Sequence, residues 1–401
     1  MNSIFKTIFK QTAWQLLGKV VTSFSTFIIL GLVARNYGKE GTGIFTLALT
    51  YLSVFYLMSD FGFNAHVLSK EQGAEQKVEK EWNKLLGTRI VWSAMLAILA
   101  VGLLPLWPFS TPQFAQAVFF GSFAIIASAI YVTCNLIFQN KLRYDLSVLA
   151  TILGTLVGLG FYIFLIFNKF PVPFLLIAHL AGWVVIFLSA LLIMNKVLHH
   201  LKPKFNLEYA LGLFKKSWPI GATLTLNVLY FRVDSFMIAV FKSAGDVGVY
   251  NIAYSIFQTA LVLPTFIMNS YYPLMLKSLG GVRLVGLSLF GLSLLGTALT
   301  IVLAPFVISL LTGGGFSGST NSLQILSLGF PAYFLSSLLM WILITKGYYK
   351  KMFLICLIGL VLNFILNFIY IPQYSYIASS WITVISEYAI LAMQVVVLSA
   401  L

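Results

Sequence analysis

Residues 284–311 read LVGLSLFGLSLLGTALTIVLAPFVISLL, 28 positions without one charged side chain. As a helix this stretch rises about 42 Å, against a bilayer hydrocarbon core about 30 Å thick. A helix at the surface of a soluble domain keeps a polar face for water. This one has none, so it reads as a membrane span with length to spare for tilt.

Eleven further runs have the same character: 12–33, 42–62, 86–106, 114–138, 146–167, 173–195, 217–241, 248–272, 322–345, 350–370 and 378–400. The expected fold is therefore all-α, a polytopic membrane protein of twelve transmembrane helices. Composition agrees: 60% of the 401 residues are hydrophobic and only 9% charged, with mean hydropathy +0.95. That leaves too little charge to clothe a soluble domain. The connections are short, and only 63–85 and 196–216 exceed a simple turn. The first run is too long for a cleavable signal and lacks a small-residue cleavage site, so it is expected to stay as a span. Cys134 and Cys356 both fall in apolar runs, which argues against a disulfide framework or a metal site.

The basic residues fix an orientation. With the N-terminus inside, eighteen Lys and Arg fall on cytoplasmic segments and four (Arg35, Lys39, Lys169 and Lys242) on outer ones, the bias of an inner-membrane protein. Both termini are expected in the cytoplasm. The net charge of +14 is thus a topology signal and calls for no nucleic acid.

The chain also repeats itself. Phe9-Lys10-Gln11-Thr12-Ala13-Trp14 is echoed by Phe214-Lys215-Lys216-Ser217-Trp218. Gly43-Ile44-Phe45-x-x-Ala48 is echoed by Gly248-Val249-Tyr250-x-x-Ala253, at an offset of 205. Six spans separate the copies, so both halves enter the membrane in the same sense, around a pseudo-two-fold axis along the membrane normal. The expected lobes are residues 1–200 and 217–401, joined by a cytoplasmic linker, 201–216. The linker carries Leu207, Ala210, Leu211 and Phe214 at helical spacing beside lysines, the pattern of an interfacial helix.

Charges inside spans are costly and mark candidate sites. Here they are Lys19, Asp60, Arg89, Arg232, Asp234 and Glu387, with Arg35 near the outer end of span 1. Each carries two readings. Lys19 either snorkels to the inner interface or lines a cavity. Asp60 and Arg89 either pair between helices or serve transport. Arg232 and Asp234 point to nearly opposite sides of one helix, with Arg232 facing a cavity or snorkelling outward. Glu387 packs protonated or binds a coupling ion. His179 relays protons or bonds a neighbour. Asn363 and Asn367, one turn apart, suit interhelical hydrogen bonds. Pro264, Pro273, Pro305 and Pro331 are expected to kink their helices. The glycine-rich stretch 312–318 lacks the Gly-Lys-Ser/Thr of a phosphate loop, and no catalytic constellation emerges, so an enzyme is not expected.

Several of these residues fall in a familiar order. Asn363-x-x-Leu366-Asn367-x-x-x-Ile371-Pro372-x-Tyr374, then Ala378-Ser379-Ser380-x-x-Thr383-x-x-x-Glu387, resembles the polysaccharide-exporter pattern. So do Ala34-Arg35-Asn36-Tyr37-Gly38-x-x-Gly41-x-Gly43, Asp60-Phe61-Gly62, and Arg232-Val233-Asp234-Ser235-Phe236-Met237-Ile238. Ser375 departs from it, standing where the pattern has glycine. The resemblance is to the oligosaccharide flippases (O-antigen flippase-like) of the multidrug/oligosaccharidyl-lipid/polysaccharide exporter superfamily.

That resemblance implies transfer of an undecaprenyl-diphosphate-linked oligosaccharide across the bacterial cytoplasmic membrane by alternating access, for O-antigen, capsule or exopolysaccharide. It implies no cofactor. Its partners would be the lipid-linked oligosaccharide, membrane lipids, H⁺ or Na⁺, and a polysaccharide polymerase beside a monomeric flippase. The physical demand fits, because arginine presents a planar fork to phosphate oxygens. Lys19, Arg35, Arg89 and Arg232 are the expected head-group residues. Asp60, Asp234 and Glu387 are the expected ion-coupling residues. The rival is a multidrug or cation antiporter of the same superfamily, which would want an acidic or aromatic cavity.

Overall fold

A computed structural model describes residues 2–64, 67, 75–141, 143–195, 202–275 and 280–400. Its α-helices are α1 (Asn2–Asp60), α2 (Glu75–Gly102), α3 (Pro112–Asn140), α4 (Tyr144–Phe167), α5 (Leu175–Asn195), α6 (Leu207–Phe241), α7 (Ala244–Ala260), α8 (Val262–Met275), α9 (Val282–Thr312), α10 (Ser317–Ser327), α11 (Phe330–Thr345) and α12 (Tyr349–Ser399). Among the described residues there is no β-strand.

Two of these helices are too long for one crossing. At about 1.5 Å per residue, the 59 residues of α1 and the 51 of α12 each exceed a bilayer about twofold. Each holds one non-helical residue: Gly38 at φ 62°, ψ −164°, and Ser375 at φ 51°, ψ −140°. Each is therefore two spans around a one-residue break. With α7–α8 counted as one span and the bent pair α10–α11 as one broken span, twelve crossings result, as the apolar runs predict. The turns at 34–41 and 371–377 are the surprise. They shrink to single residues in a region of φ/ψ that essentially only glycine occupies at low cost. At the first break Thr42 Oγ1 donates to the Gly38 carbonyl at 2.6 Å.

Proline decides two more breaks. A proline removes the N–H that would bond the carbonyl four residues earlier. Helix α7 stops at Ala260, four before Pro264, and α10 stops at Ser327, four before Pro331. The α10–α11 pair bends by 44°. Pro305 stays inside a continuous α9, and there is a reason. The carbonyl it frees, on Ile301, accepts from Gln324 Nε2 of α10 at 2.9 Å. The carbonyl freed by Pro331, on Ser327, accepts in return from Thr297 Oγ1 of α9 at 2.8 Å. Spans 9 and 10 thus satisfy each other's proline defects, as hydrocarbon requires. The expected linker helix also differs, since residues 207–216 run unbroken into span 7 as the first part of α6.

Two compact units emerge, one holding residues up to Asn36 with Ile44–Arg232, the other Tyr37–Gly43 with the chain from Val233 on. In the first, α3, α4 and α5 pack together. The core at one end gathers Phe63, Trp82, Leu86, Cys134 and Phe138, with Phe61 and Phe214 against it. The segment before α6 is tied to α2: Lys204 N–H donates to the Asn83 carbonyl at 3.0 Å, and Lys202 N–H to Asn83 Oδ1 at 3.1 Å. In the second unit, the segment 37–43 lies directly on the start of α7. A Cβ on Gly43 would collide with the Ala244 carbonyl, and one on Gly248 with the Lys39 carbonyl and the Gly43 backbone. Only glycine lets the two backbones come this close.

Candidate functional site

The span charges differ widely in exposure. Lys19 and Arg35, on the first half of α1, are exposed, and Arg232 on α6 is half-buried. Asp234 and Glu387 are buried, at 3% and 4% exposure. Asp60 is 27% exposed at its side chain, and Arg89 Nη2 holds it at 2.5 Å. The most exposed of these charges, Lys19 and Arg35, are thus positive.

Arg89 is itself completely buried on α2. Its Nη1 donates to Thr133 Oγ1 of α3 at 3.2 Å, and its guanidinium lies over the Phe63 ring at 5.6 Å. Indole donors brace the same layer. Trp82 Nε1 donates to the Thr133 carbonyl at 2.9 Å, and Trp92 Nε1 to the Met58 carbonyl at 2.8 Å. This is the interhelical ion pair that the sequence offered as one of two readings, joining α1, α2 and α3.

Asp234 sits in the second unit at the junction of α6, α7 and both arms of α12. Its Oδ2 accepts from Tyr250 Oη at 2.7 Å and from Thr383 Oγ1 at 2.9 Å. Its Oδ1 accepts from Asn367 Nδ2 at 2.7 Å. Asn363 Oδ1 stands 2.8 Å from that same amide nitrogen, and Ser379 Oγ donates to Asn367 Oδ1 at 3.0 Å. Ser235 bonds Asn251 next door at 2.6 Å. Glu387 is buried one turn beyond Thr383. A buried carboxylate must be surrounded by donors in this way to be tolerated. Among the described residues no cluster of three His, Cys, Asp or Glu side chains forms.

The structure therefore separates the predicted residues into an accessible cationic set (Lys19, Arg35, Arg232), a locked pair (Asp60 with Arg89) and a buried acidic set (Asp234, Glu387). Tyr250, Ser379 and Thr383 were not singled out from sequence as partners of Asp234. The signal existed, because Tyr250 sits in the repeated Gly-x-aromatic motif, and Ser379 and Thr383 in the exporter-like stretch. The distant convergence of those stretches on one carboxylate is what sequence spacing does not encode.

His179 bonds a neighbour: its Nε2 lies 2.8 Å from Tyr56 Oη. Around that bond gather Trp183 and Tyr131, aromatic residues that the sequence offered no reason to separate from ordinary span bulk.

Comparison with known proteins fits this architecture. A family model described as polysaccharide biosynthesis protein matches residues 8–279. No curated protein sequence matches the chain. Among solved structures, the lipid II flippase MurJ in an inward closed conformation superposes with a TM-score of 0.78 at 15% identity, covering 98% of this chain and 87% of that one. An inward-facing multidrug resistance MATE family transporter of the MOP superfamily gives 0.69 at 13% identity, covering 94% and 95%. A MOP superfamily transporter from Pyrococcus furiosus, described by a reverse polarity of its binding pocket, gives 0.62 at 12% identity, covering 98% and 94%. These likenesses show that the chain shares the fold of these structures. The family match spans most of the sequence, and the chain belongs to the polysaccharide biosynthesis protein family.

Proposed function

We propose that the protein carries an undecaprenyl-diphosphate-linked oligosaccharide from the inner to the outer leaflet of the bacterial cytoplasmic membrane, by alternating access between lobes at about residues 1–200 and 217–401. The observation that carries this reading is that the most exposed span charges are positive. Lys19 and Arg35 are exposed and Arg232 half-buried, while Asp234 and Glu387 are buried and the partly exposed Asp60 is held by Arg89. A diphosphate cannot enter hydrocarbon without replacement of its hydration, and guanidinium and ammonium groups supply that replacement. In this reading Lys19, Arg35 and Arg232 receive the head group, and the lipid tail stays in the bilayer. Arg89 serves them from within the bundle by holding Asp60. An O-antigen, capsule or exopolysaccharide pathway is the setting, with both termini cytoplasmic. A multidrug or cation antiporter would expose acids to its substrate, the opposite arrangement.

For coupling, Na⁺ taken up at Asp60, Asp234 or Glu387 is one reading. H⁺ taken up at Asp234 or Glu387 is the other reading.

The test is complementation of a flippase-null strain combined with vesicle translocation of lipid-linked oligosaccharide. Arg232→Ala is expected to abolish both while the protein still inserts, and Arg232→Lys to restore part of the rate. Full activity of the Ala variant would sink the head-group role. Drug efflux without glycolipid movement would instead favour the antiporter.

A further inference from the structure

The first unit contains a polar aromatic cluster that a diphosphate-binding site does not require. Tyr56 on the second half of α1, Tyr131 on α3, and His179 and Trp183 on α5 come together inside the spans. The Tyr56 and Trp183 rings lie 5.8 Å apart at 39°, and Tyr131 and Trp183 lie 6.1 Å apart at 59°. His179 is 6.0 Å from Tyr56 and 6.4 Å from Trp183. None of the four is buried, and none is fully exposed.

The rings are backed by hydrogen-bonding groups. Tyr131 Oη is within 2.8 Å of Ser147 Oγ and 2.9 Å of Thr151 Oγ1, both on α4. Ser147 donates to Asn135 Oδ1 at 2.7 Å. Among these side chains there is no carboxylate, ammonium or guanidinium. Helix packing alone asks for small residues and close backbones at an interface. The neighbouring α4–α5 contact provides that through Gly154, Gly158 and Gly182. Partly open indole, phenol and imidazole rings with hydroxyl and amide groups serve a different purpose.

We propose that this cluster is the binding platform for the sugar portion of the substrate. A pyranose ring offers an apolar face of C–H groups, which suits the negative face of an aromatic ring. Its rim of hydroxyls needs groups that both donate and accept, and Tyr, Ser, Thr, Asn and neutral His do so. Trp183, flanked by Tyr56 and Tyr131, takes the sugar face; the partly exposed His179 and Asn135 take its hydroxyls. The absence of charge sets the preference toward neutral sugars. This assignment rests on the flippase reading above and adds the subsite that distinguishes one glycan from another.

The test compares two probes on the protein in nanodiscs by native mass spectrometry: bare undecaprenyl diphosphate, and the lipid-diphosphate-linked oligosaccharide extracted from the source cell. The wild type is expected to bind the glycan-bearing lipid more tightly. Trp183→Leu should bind it about tenfold more weakly than wild type while holding the bare lipid unchanged, which also shows that the variant is folded. Tyr131→Phe, which keeps the ring, should lose a smaller part. If Trp183→Leu weakens both lipids equally, or if the wild type shows no preference for the glycan, the platform is overturned and the head-group site stands. If the wild type binds neither lipid, the flippase reading falls and the platform with it.

Discussion

Ser375 is the residue that the exporter-like pattern replaces with glycine, and the structure shows what glycine would do there. At φ 51° and ψ −140° its backbone lies in a region that costs a side-chain-bearing residue about 1–3 kcal/mol. Part of that is offset by its hydroxyl, which donates to Asp246 Oδ1 at 3.0 Å. Ser375→Gly is expected to raise stability by roughly 1 kcal/mol, read as a higher melting temperature in detergent; a lower one would contradict the strain argument. The Asp60–Arg89 pair gives the opposite kind of prediction. Asp60→Leu alone leaves the fully buried Arg89 without its anion and should cost about 3–5 kcal/mol, while Asp60→Leu with Arg89→Met should recover most of the loss. A double variant as unstable as the single one would mean that the pair does more than hold helices. Both residues were legible as candidates, because a charge in an apolar run is conspicuous. Which of them would be buried against the other was not, because Asp60 and Arg89 sit on helices whose rotation sequence periodicity leaves open.

At the scale of the element, hydropathy located the twelve crossings well but drew loops where the chain bends at one residue. Hydropathy averages over a window, and a window cannot see a single φ angle. The prolines were legible as points of trouble, yet only the fold reveals the remedy. Gln324 and Thr297 cover the Ile301 and Ser327 carbonyls that Pro305 and Pro331 release. Thr297→Val keeps the shape and removes the donor, so it should cost about 1–3 kcal/mol. Thr297→Ser should be far milder. Thermal denaturation of the two variants checks this, and equal melting temperatures would show that the Ser327 carbonyl finds another donor. The same contrast explains the sugar platform. His179 stood out by type, while Tyr56, Tyr131 and Trp183 merged into the apolar background that made the spans recognisable.

For the whole molecule, the proposed ion coupling at Asp234 is open to a direct test. Asp234→Asn keeps size but exchanges an acceptor for an amide facing Tyr250 and Thr383, and removes the negative charge. We expect translocation in vesicles to lose its response to a Na⁺ gradient, or to a proton gradient if that is the coupling ion. A variant that responds like wild type to both would remove Asp234 from coupling. Gly43→Leu places a side chain where the Ala244 carbonyl lies. It is expected to reduce translocation at least severalfold while leaving lipid-diphosphate binding in place, which separate binding and flipping assays would resolve. The 205-residue offset relates Gly43 to Gly248, and these two positions touch one another. In a homodimer with a two-fold axis, a residue near that axis meets its own counterpart in the other subunit. A protein descended from a fused pair of identical six-helix chains would inherit such a self-encounter, and a bulkier residue at either glycine would have to push the facing backbone aside.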